Sequence, residues 1–552
     1  MPVLFALAPL FSAPKSFDKG GPATDNYAMS TADSPHFTGL PFAEAERVIQ
    51  THANIVVLTG NRAYKLKKPV KFPFLDYSTA ALRRHFVQEE VRLNRRFSPA
   101  AYLGVCEVRS GGGQLRFSEV VEPGQLPTPD SEVVDYALCM RRIADDAWLL
   151  ARICQGRVPA AGIHAIVDRV VRSLYHQPPT PEVAAAGLPQ SLARNTVANI
   201  AECERFTRRC MDVARFKRLD ELLRGRFDAL KPLFEQRVKD GRIRDGHGDL
   251  KPGNIAFEPD GTPLITDCIE FGTQWRYLDT LAEVAFLATG LESLGQFALA
   301  AQVFERYRLA ARDEFSPALR RYYQCHFACV MGKVTALQLD EPEVGREARA
   351  EARRLATHYF ALADFHAQEP HVIAVAGIMG CGKSTLASAL AAHLGWPALS
   401  SDVIRKELAG VPPTQRLGAS AYGPEVTRQV YAELIRRSSA PPGSGVIVDA
   451  QFGRAQERAA LKAATTSLLF VHCDAPDDVV RARMRRRAQD AARVSDATED
   501  LLAQARARYE PVDQAEGLNL LAADTTRETA VNVEAVLAAL LGPDFVKQAA
   551  RR

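Results

Sequence analysis

The chain has 552 residues, of which 47% are hydrophobic and 24% charged, and its formal net charge is +4. This length exceeds what one hydrophobic core supports, so we expect two large domains. The small net charge gives no electrostatic reason for the whole protein to bind nucleic acid or a membrane, and no apolar run is long enough to span a bilayer. The ten cysteines contain no C-x-x-C pair, which favours a reducing cytoplasm over a disulfide framework or a zinc site.

Residues 1–38 are expected to form a disordered extension. Residues 1–11 are mildly apolar but lack a preceding Lys or Arg, which makes them a poor signal peptide. Residues 12–36 are rich in Ser, Asp, Gly and Pro and show no hydrophobic period. Met29 is an alternative start of translation, and the sequence does not decide between it and Met1.

The first folded elements are expected from about Leu40 and predict a small sheet. Residues 42–49 predict a short helix. Two runs rich in β-branched residues, 54–58 and 63–67, flank a Gly-Asn turn at Gly60 and predict a β-hairpin.

Two lysines of the second predicted strand are candidates for binding phosphate. Lys65 and Lys67 share one face of that strand, because side chains two residues apart point the same way. Either could contact nucleotide phosphates, and a solvated strand face is the alternative. The predicted helix over 80–97 carries Glu89 and Glu90, one of which could pair with the lysine as kinases require.

The pattern then changes from strands to helices. Strands are predicted at 102–120 and 133–140, and helices at 161–175, 192–212, 219–239 and throughout 294–364. A sheet-rich lobe followed by a larger helical lobe predicts a cleft between the two. The sequence at 367–370 breaks the helical pattern, so we place the first domain at 39–366.

Asp249, Asn254 and Asp267 have the order and spacing of the catalytic residues of kinases. There, a catalytic-loop Asp accepts the proton of the substrate hydroxyl, an Asn five residues later binds a metal, and a second Asp after a strand holds Mg²⁺. The loop His247-Gly248-Asp249 and the residues after it resemble the H-G-D-x-x-x-x-N loop of aminoglycoside phosphotransferase-like kinases, and the resemblance covers about 40–365. The alternative is an Asp/Asn turn beside an unrelated strand.

This resemblance implies an α+β bilobal, protein-kinase-like fold and a role for each matching residue. Asp249 is implied to be the general base, with Asn254 and Asp267 as Mg²⁺ ligands. Lys65 resembles the strand lysine that binds nucleotide, with Lys67 as the substitute.

Two departures from the family pattern stand out. The hairpin turn has Gly60 alone in place of a glycine-rich loop, which leaves nucleotide contact there open. Glu283 stands where such kinases carry Asp, beside a matching Asp279, and we expect both to support the helical lobe.

The most specific motif of the chain begins the second domain, which we place at 371–545. It fits the phosphate-loop pattern G-x-x-x-x-G-K-[ST] and consists of Gly377, Ile378, Met379, Gly380, Cys381, Gly382, Lys383, Ser384 and Thr385. An apolar run at 371–376 predicts a buried strand before it, and leucines every four residues predict a helix after it.

Such a loop binds phosphate oxygens with its backbone N–H groups at a helix N-terminus. Lys383 would reach the β- and γ-phosphates, and Ser384 would hold Mg²⁺. A glycine-rich turn without a ligand is the alternative.

Four further residues of this domain are candidates for chemistry. Asp402 follows the second predicted strand, where it could take the proton of a substrate hydroxyl or merely cap a helix. Arg405 could orient an anionic substrate. Asp449 ends another buried strand and suits Mg²⁺ or its water shell. Arg487, with Arg483 next, could cover the nucleotide from a mobile arginine-rich helix, although a charged helix face is the usual explanation.

The second half resembles the phosphate-loop kinases, including gluconate-kinase-like, zeta-toxin-like and polynucleotide-kinase-like proteins, from residue 372 to about 541. With predicted strands at 445–449, 467–474 and 518–521, this implies an α/β doubly wound fold of the phosphate-loop NTPase type. The two halves in this order also resemble a bacterial group of fused aminoglycoside phosphotransferase-like and AAA-type ATP-binding proteins.

Our main hypothesis is a bifunctional ATP-dependent kinase. Each half would use ATP and Mg²⁺ to phosphorylate a hydroxyl of a small molecule, without a nucleic-acid or membrane partner. Two alternatives stay open: a non-catalytic regulatory or binding role for the first half, and a kinase acting on nucleic-acid ends. The sequence identifies neither substrate nor oligomeric state.

Overall fold

A computed structural model describes residues 41–549, apart from positions 52, 73–74, 159, 343, 369–370, 441–442 and 490–498. The predicted extension over residues 1–38 lies outside the described residues, as do two positions of the predicted boundary at 367–370. Within the described part of the chain, no helix is long and apolar enough to cross a membrane.

The first lobe is built around an antiparallel sheet. In chain order its elements are β1 (Arg47–Gln50), β2 (Asn54–Thr59), β3 (Arg62–Lys67), β4 (Lys71–Phe72), β5 (Leu75–Asp76), α1 (Ala80–Asn94), β6 (Tyr102–Gly111), β7 (Gln114–Phe117) and β8 (Val133–Arg141). Among the described residues, six of these strands form the sheet in the order β1-β2-β3-β8-β6-β7, and β4 and β5 form a separate hairpin.

The predicted helix over 42–49 is wrong. Phe42 makes an isolated β-bridge with Leu115, and β1 pairs antiparallel with β2, from Arg47 opposite Leu58 to Gln50 opposite Ile55. The apolar residues of this segment do not recur with a clear helical or strand period. Pairing with the free edge of β2 therefore determines its conformation.

Helix α1 lies against the sheet, where it contacts β8, β6 and β3. Its N-terminus is capped by the Thr79 hydroxyl, which accepts a hydrogen bond from the N–H of Leu82 at 3.2 Å. Arg83 on its buried face donates to Asp135 of β8 at 2.8 Å. Both groups are buried, so this ion pair holds the helix on the sheet. Removing either partner would leave the other as an uncompensated buried charge.

The second lobe is mainly helical. It contains α2 (Leu149–Cys154), α3 (Ala160–Leu174), α4 (Pro181–Ala186), α5 (Pro189–Glu204), α6 (Val213–Asp220), α7 (Phe227–Lys239), β9 (Ile243–Asp245), β10 (Ile255–Phe257), β11 (Pro263–Ile265), α8 (Thr273–Arg276), β12 (Tyr277–Asp279), α9 (Thr280–Glu292), α10 (Phe297–Ala311), α11 (Pro317–Leu337) and α12 (Arg346–Ala367). The short strand pairs β10–β11 and β9–β12 lie near the first lobe, because Asp267 after β11 contacts Lys65 and the Asp245 carbonyl of β9 accepts from Arg96.

The second half is a parallel sheet between helices. Its elements are β13 (His371–Ala376), α13 (Lys383–Leu394), β14 (Ala398–Ser400), α14 (Ser401–Leu408), α15 (Pro424–Ser438), β15 (Gly445–Asp449), α16 (Ala455–Ala464), β16 (Ser467–Asp474), α17 (Asp477–Ala488), α18 (Leu502–Arg508), β17 (Leu520–Asp524), α19 (Thr529–Leu541) and α20 (Pro543–Ala549). In the described residues, five strands pair in parallel in the order β14-β15-β13-β16-β17. All residues of β13, the central strand, are buried, as expected for a sheet covered on both faces.

The two halves share one hydrophobic core. Phe545 of α20 stacks on His358 of α12 with ring centroids 4.0 Å apart, and it also meets Phe297 of α10 at 6.2 Å. Gly395, which ends α13 at φ +64°, allows α10 to approach so closely that a Cβ there would lie 2.6 Å from the Cβ of Ala301. The helix that begins at the phosphate loop therefore ends packed against the helical lobe.

Candidate active sites

In the first half, Lys65 lies between two carboxylates that come from distant parts of the chain. Its ammonium group is 2.7 Å from Oε1 of Glu90 on α1 and 2.5 Å from Oδ1 of Asp267, which follows β11. The other candidate on the helix, Glu89, pairs instead with Arg92 at the surface. Of the two carboxylates that the sequence offers, the structure selects Glu90.

Asp249 and Asn254 meet in the loop that follows β9. The Asn254 amide donates to Oδ2 of Asp249 at 2.7 Å, and the Lys251 ammonium lies 2.8 Å from the same oxygen. Asp249 is fully buried, and its Oδ1 has no hydrogen-bond partner among the described residues. Lys251 was not among the sequence candidates, although its place two residues after the catalytic-loop Asp was an available clue.

A buried imidazole and a buried carboxylate shape this loop. His247 donates from Nε2 to the carbonyl of Thr266 at 2.9 Å and accepts the N–H of Asp249 on Nδ1 at 3.3 Å, and these partners assign its tautomer. Burial lowers the pKa of His247 to about 3, so the ring is neutral. Glu283 of α9 accepts the N–H of His247 at 2.7 Å, and it therefore supports the backbone of the loop.

The three carboxylates of this site differ in the pKa that their surroundings produce. Burial raises the pKa of Asp249 to about 6 and that of Glu283 to about 7. Burial acts in the same direction on Asp267, but the ammonium of Lys65 outweighs it, so the pKa of this carboxyl is lowered. Asp267 also holds a left-handed backbone conformation at φ +69°, which is uncommon for a residue other than glycine.

The turn near the lysines differs from the one that the sequence suggested. The Gly60 turn lies at the start of β3, where Gly60 donates its N–H to Glu46 at 2.7 Å. The β1–β2 turn lies beside the other end of β3, since Lys68 donates its N–H to the carbonyl of Ala53 at 2.7 Å. Ala53 is fully buried, and neither this residue nor Thr51, two positions earlier, is a glycine.

In the second half, the phosphate loop joins β13 to α13 and contains three glycines with positive φ. A Cβ on Gly377 would lie 2.4 Å from the carbonyl oxygen of Cys473, and one on Gly380 would lie 2.9 Å from Val480. Lys383 donates to the carbonyl of Ile378 at 3.4 Å, across the loop. Close packing and backbone conformation therefore both require glycine here.

Ser384 and Asp449 meet beside the loop. Burial raises the pKa of the Asp449 carboxyl, while the nearby Lys383 ammonium and Ser384 hydroxyl act in the opposite direction. Asp449 is nearly fully buried, and its Oδ1 has no hydrogen-bond partner among the described residues. Asp402 lies near enough to raise the pKa of Asp449 further. It occupies the first turn of α14, while Ser400 is the N-cap residue, so helix capping does not account for Asp402.

The three candidate arginines have different surroundings. Arg405 donates to the carbonyl of Ala421 at 2.7 Å and lies over the ring of Tyr422 at 4.7 Å, so much of its guanidinium is already engaged. Arg483 donates to Thr525, with 2.6 Å to the carbonyl oxygen, and thereby holds α17 against the loop after β17. The Arg487 guanidinium is near enough to Asp449 to act against the rise in the pKa of that carboxyl.

Both sites offer donors that fit Mg²⁺. This ion prefers oxygen ligands, keeps several waters and is held by one or two carboxylates together with substrate phosphates. In each half a carboxylate with an unpartnered, buried oxygen stands beside a lysine, at Asp249 and at Asp449. Burying such an oxygen without a partner is unfavourable, and a metal or a substrate hydroxyl would satisfy it.

These folds and sites define the class of the protein: a kinase-like domain joined to a phosphate-loop kinase domain, as the sequence predicted. A family model described as an AAA domain matches residues 372–512. The uncharacterized protein Rv2004c of Mycobacterium tuberculosis is 31% identical over 494 residues, which cover 87% of this chain and 92% of that protein. The uncharacterized protein Mb2027c of Mycobacterium bovis matches to the same extent. The chain belongs to the family of these mycobacterial proteins.

Solved structures resemble the two halves separately. A gluconokinase from Sinorhizobium meliloti is 24% identical, covers 31% of this chain and 93% of its own, and has a TM-score of 0.24. A choline/ethanolamine kinase family protein from Mesorhizobium loti is 12% identical and covers 61% of this chain and 96% of its own, with a TM-score of 0.33. The aminoglycoside 2'-phosphotransferase-IIIa is 11% identical and covers 58% and 94%, with a TM-score of 0.35. The fold assignment rests on the strand orders and site residues described above.

Proposed function

We propose that the protein is a bifunctional phosphotransferase, in which each half transfers the γ-phosphoryl group of ATP to a hydroxyl of a small molecule. The observation that carries this proposal is the repeated arrangement of a lysine, a metal-suited oxygen set and a buried carboxylate with one unpartnered oxygen. Among the described residues it occurs at Asp249, the proposed base of the first half, and at Asp449, a proposed Mg²⁺ ligand of the second half.

In the first half, Asp249 is the group that accepts a proton. Asn254 and Lys251 occupy its Oδ2, which leaves Oδ1 for the hydroxyl of the acceptor. The acceptor oxygen forms a bond to the γ-phosphorus, the bond from that phosphorus to the bridging oxygen of ADP breaks, and the hydroxyl proton passes to Asp249. Lys65 contacts the phosphates.

In the second half, Asp402 takes the corresponding proton. The backbone of 377–385 and Lys383 hold the phosphates, and Arg487 adds positive charge where the transferred group develops negative charge. Asn254 and Asp267 in the first site, and Ser384 and Asp449 in the second, would hold Mg²⁺, and a bound Mg²⁺ would supply positive charge beside the phosphates.

The test uses the full-length chain, because the halves share a core. Asp249→Ala, Lys383→Ala and the double variant are assayed for ATP consumption against a panel of small hydroxylated metabolites. Each single variant should lose a separate set of acceptors, and the double variant should lose all of them. Asp228→Ala and Lys231→Ala, which alter an exposed ion pair on α7, are the matched controls. A double variant as active as wild type would refute the proposal.

A non-catalytic first half is the second candidate, and one observation favours it. Lys65 contacts Asp267 directly at 2.5 Å, and the nearby β1–β2 turn is packed and contains no glycine at its described positions. A regulatory first half would bind nucleotide without consuming it. In the Lys383→Ala variant, binding of a fluorescent ATP analogue without any Asp249-dependent turnover would support this candidate. A 5'-hydroxyl oligonucleotide in the acceptor panel tests for a nucleic-acid end kinase.

A further inference from the structure

The first half contains a second buried lysine that the proposed chemistry does not use. Lys67 shares a strand face with Lys65, and Glu90 lies between them, with Oε1 on Lys65 and Oε2 on Lys67. The Lys67 ammonium also contacts Oε1 of Glu270, three residues after Asp267. Each lysine therefore joins helix α1 to the segment that carries the metal-ligand candidate, but through a different carboxylate.

Tyr77 completes this arrangement. Its hydroxyl hydrogen-bonds Oε1 of Glu270, and its ring lies 5.0 Å from the Lys67 ammonium. The side chains of Lys67 and Glu90 are 1% exposed and that of Glu270 is 5% exposed. We call Lys67, Tyr77, Glu90 and Glu270 the Lys67 network.

An apolar cluster keeps water away from the Lys67 network. Ala53 of the β1–β2 turn, Leu75 and Tyr77 form its buried centre. Phe271 and Trp275, which follow Glu270 in the chain, pack against it from the second lobe. Separating an ion pair that is shielded from water costs much free energy, because it leaves a buried charge without a partner. Such ion pairs therefore keep their side chains in fixed positions.

Lys65 and Lys67 differ in how readily each can give up its contact with a carboxylate partner. Lys65 has 14% of its side chain exposed, and its partner Asp267 has 22% exposed, so nucleotide and metal can replace their mutual contact. Lys67 is enclosed and has two carboxylates and an aromatic ring around it. It is therefore unsuited to be the phosphate-binding lysine, which was its substitute role in the sequence prediction.

We propose that Lys67, Glu270 and Tyr77 are positioning residues, which hold the Asp267 segment and Glu90 in place while Lys65 exchanges Asp267 for the phosphates of the nucleotide. This inference rests on the proposed nucleotide site of the first half. Backbone hydrogen bonds also hold this segment, since the N–H of Asp267 donates to Tyr102 at 3.1 Å and that of Cys268 to Asn94 at 2.9 Å. Without the Lys67 network, the loss of the Lys65–Asp267 contact would leave the Asp267 side chain less well fixed, and it would meet the metal less often in the required position.

The experiment measures the Mg²⁺ concentration that gives half-maximal binding of a fluorescent ATP analogue. The parent is the full-length Lys383→Ala variant, so that the first half dominates the signal, and Asp267→Asn in this parent identifies the metal-dependent part. Tyr77→Phe keeps the ring but removes the hydrogen bond to Glu270, and Glu270→Gln removes the charge. The matched control is Tyr323→Phe, which removes a buried hydroxyl that donates to Asp279 at 3.0 Å in the helical lobe.

We expect Tyr77→Phe to raise the half-maximal Mg²⁺ concentration about 3-fold to 10-fold and Glu270→Gln to raise it more. Tyr323→Phe should lower the melting temperature to a similar degree and leave the Mg²⁺ dependence unchanged, which separates positioning from stability. Unchanged Mg²⁺ dependence in both Tyr77→Phe and Glu270→Gln would overturn the inference alone. A parent without any Mg²⁺-dependent binding that Asp267→Asn abolishes would overturn the nucleotide site and the inference together.

Discussion

The two candidate sites face the same electrostatic task with different architecture. The second half gathers its proposed phosphate-binding groups in one continuous segment, residues 377–385, where backbone N–H groups and a helix N-terminus would supply the positive potential. The first half assembles its groups from β3, α1 and two loops, and Lys65 and Asp267 are 202 residues apart. A local site depends on backbone conformation, whereas a dispersed site depends on ion pairs that only the folded chain brings together.

The largest expected effect is the loss of ATP binding when a glycine of the phosphate loop, rather than the glycine of the β2–β3 turn, is replaced by alanine. Gly377→Ala should abolish ATP binding in the second half, because the new Cβ would lie 2.4 Å from the carbonyl oxygen of Cys473. Gly60→Ala should leave nucleotide affinity in the first half unchanged. Apart from its chain neighbours, no heavy atom of the described residues lies within 4 Å of its Cβ position, and the φ of +45° makes the cost about 1 kcal/mol of stability. Titration of each variant with Mg·ATP measures both outcomes, and equal losses would contradict the contrast.

Phosphotransfer in the first half, the dispersed site, should depend strongly on the Lys65 ammonium. Lys65→Met is expected to reduce first-half phosphotransfer about 10²–10³-fold, because Glu90 and Asp267 would lose the charge that orients them. Lys71→Met, which alters an exposed lysine on the neighbouring hairpin, is the control. Steady-state rates on acceptors lost by Asp249→Ala give the measurement, and rates on acceptors lost by Lys383→Ala should not change.

The shared core makes a prediction about cooperativity. Phe545→Ala should lower stability by about 3 kcal/mol, because it removes a buried ring that stacks on His358 and touches Phe297. Scanning calorimetry should show one transition for the wild type and a separate, earlier transition of the second half in the variant. Val531→Ala, at a half-exposed site on α19, should keep the single transition. Two transitions in the wild type would show that the halves fold independently.

The smallest expected effect concerns pH. The pKa of Glu283 in the folded protein is about 7, above the ordinary 4.5, because the carboxyl is buried. Its contribution to stability is therefore complete below pH 4.5 and is lost as the pH rises through 7. Glu283→Gln stays neutral, so its stability relative to wild type should increase by about 3 kcal/mol between these limits. Chemical denaturation at several pH values measures this difference, and a constant difference would contradict the assignment.

Several elements followed from sequence pattern alone, and others did not. The strands at 445–449 and 467–474 coincide with β15 and β16, because a buried parallel strand needs a continuous apolar run. The predicted helix over 192–212 ends at Glu204, and Arg208 then takes a φ of +66°. The region 219–239 is divided by a π-helical turn at Glu221–Gly225 before α7. Such breaks come from packing and leave little trace in local periodicity.

The sequence alone determined the phosphate loop, the order of Asp249, Asn254 and Asp267, and the presence of two different domains. Each of these follows from residue types at fixed, short spacings in the chain, because local backbone geometry is sufficient to specify such motifs. The tertiary structure decided that Glu90 rather than Glu89 pairs with Lys65, and that the turn beside the lysines is the packed one at Ala53. It also decided that the halves share a core. These outcomes depend on contacts between residues far apart in the chain, which no local pattern encodes.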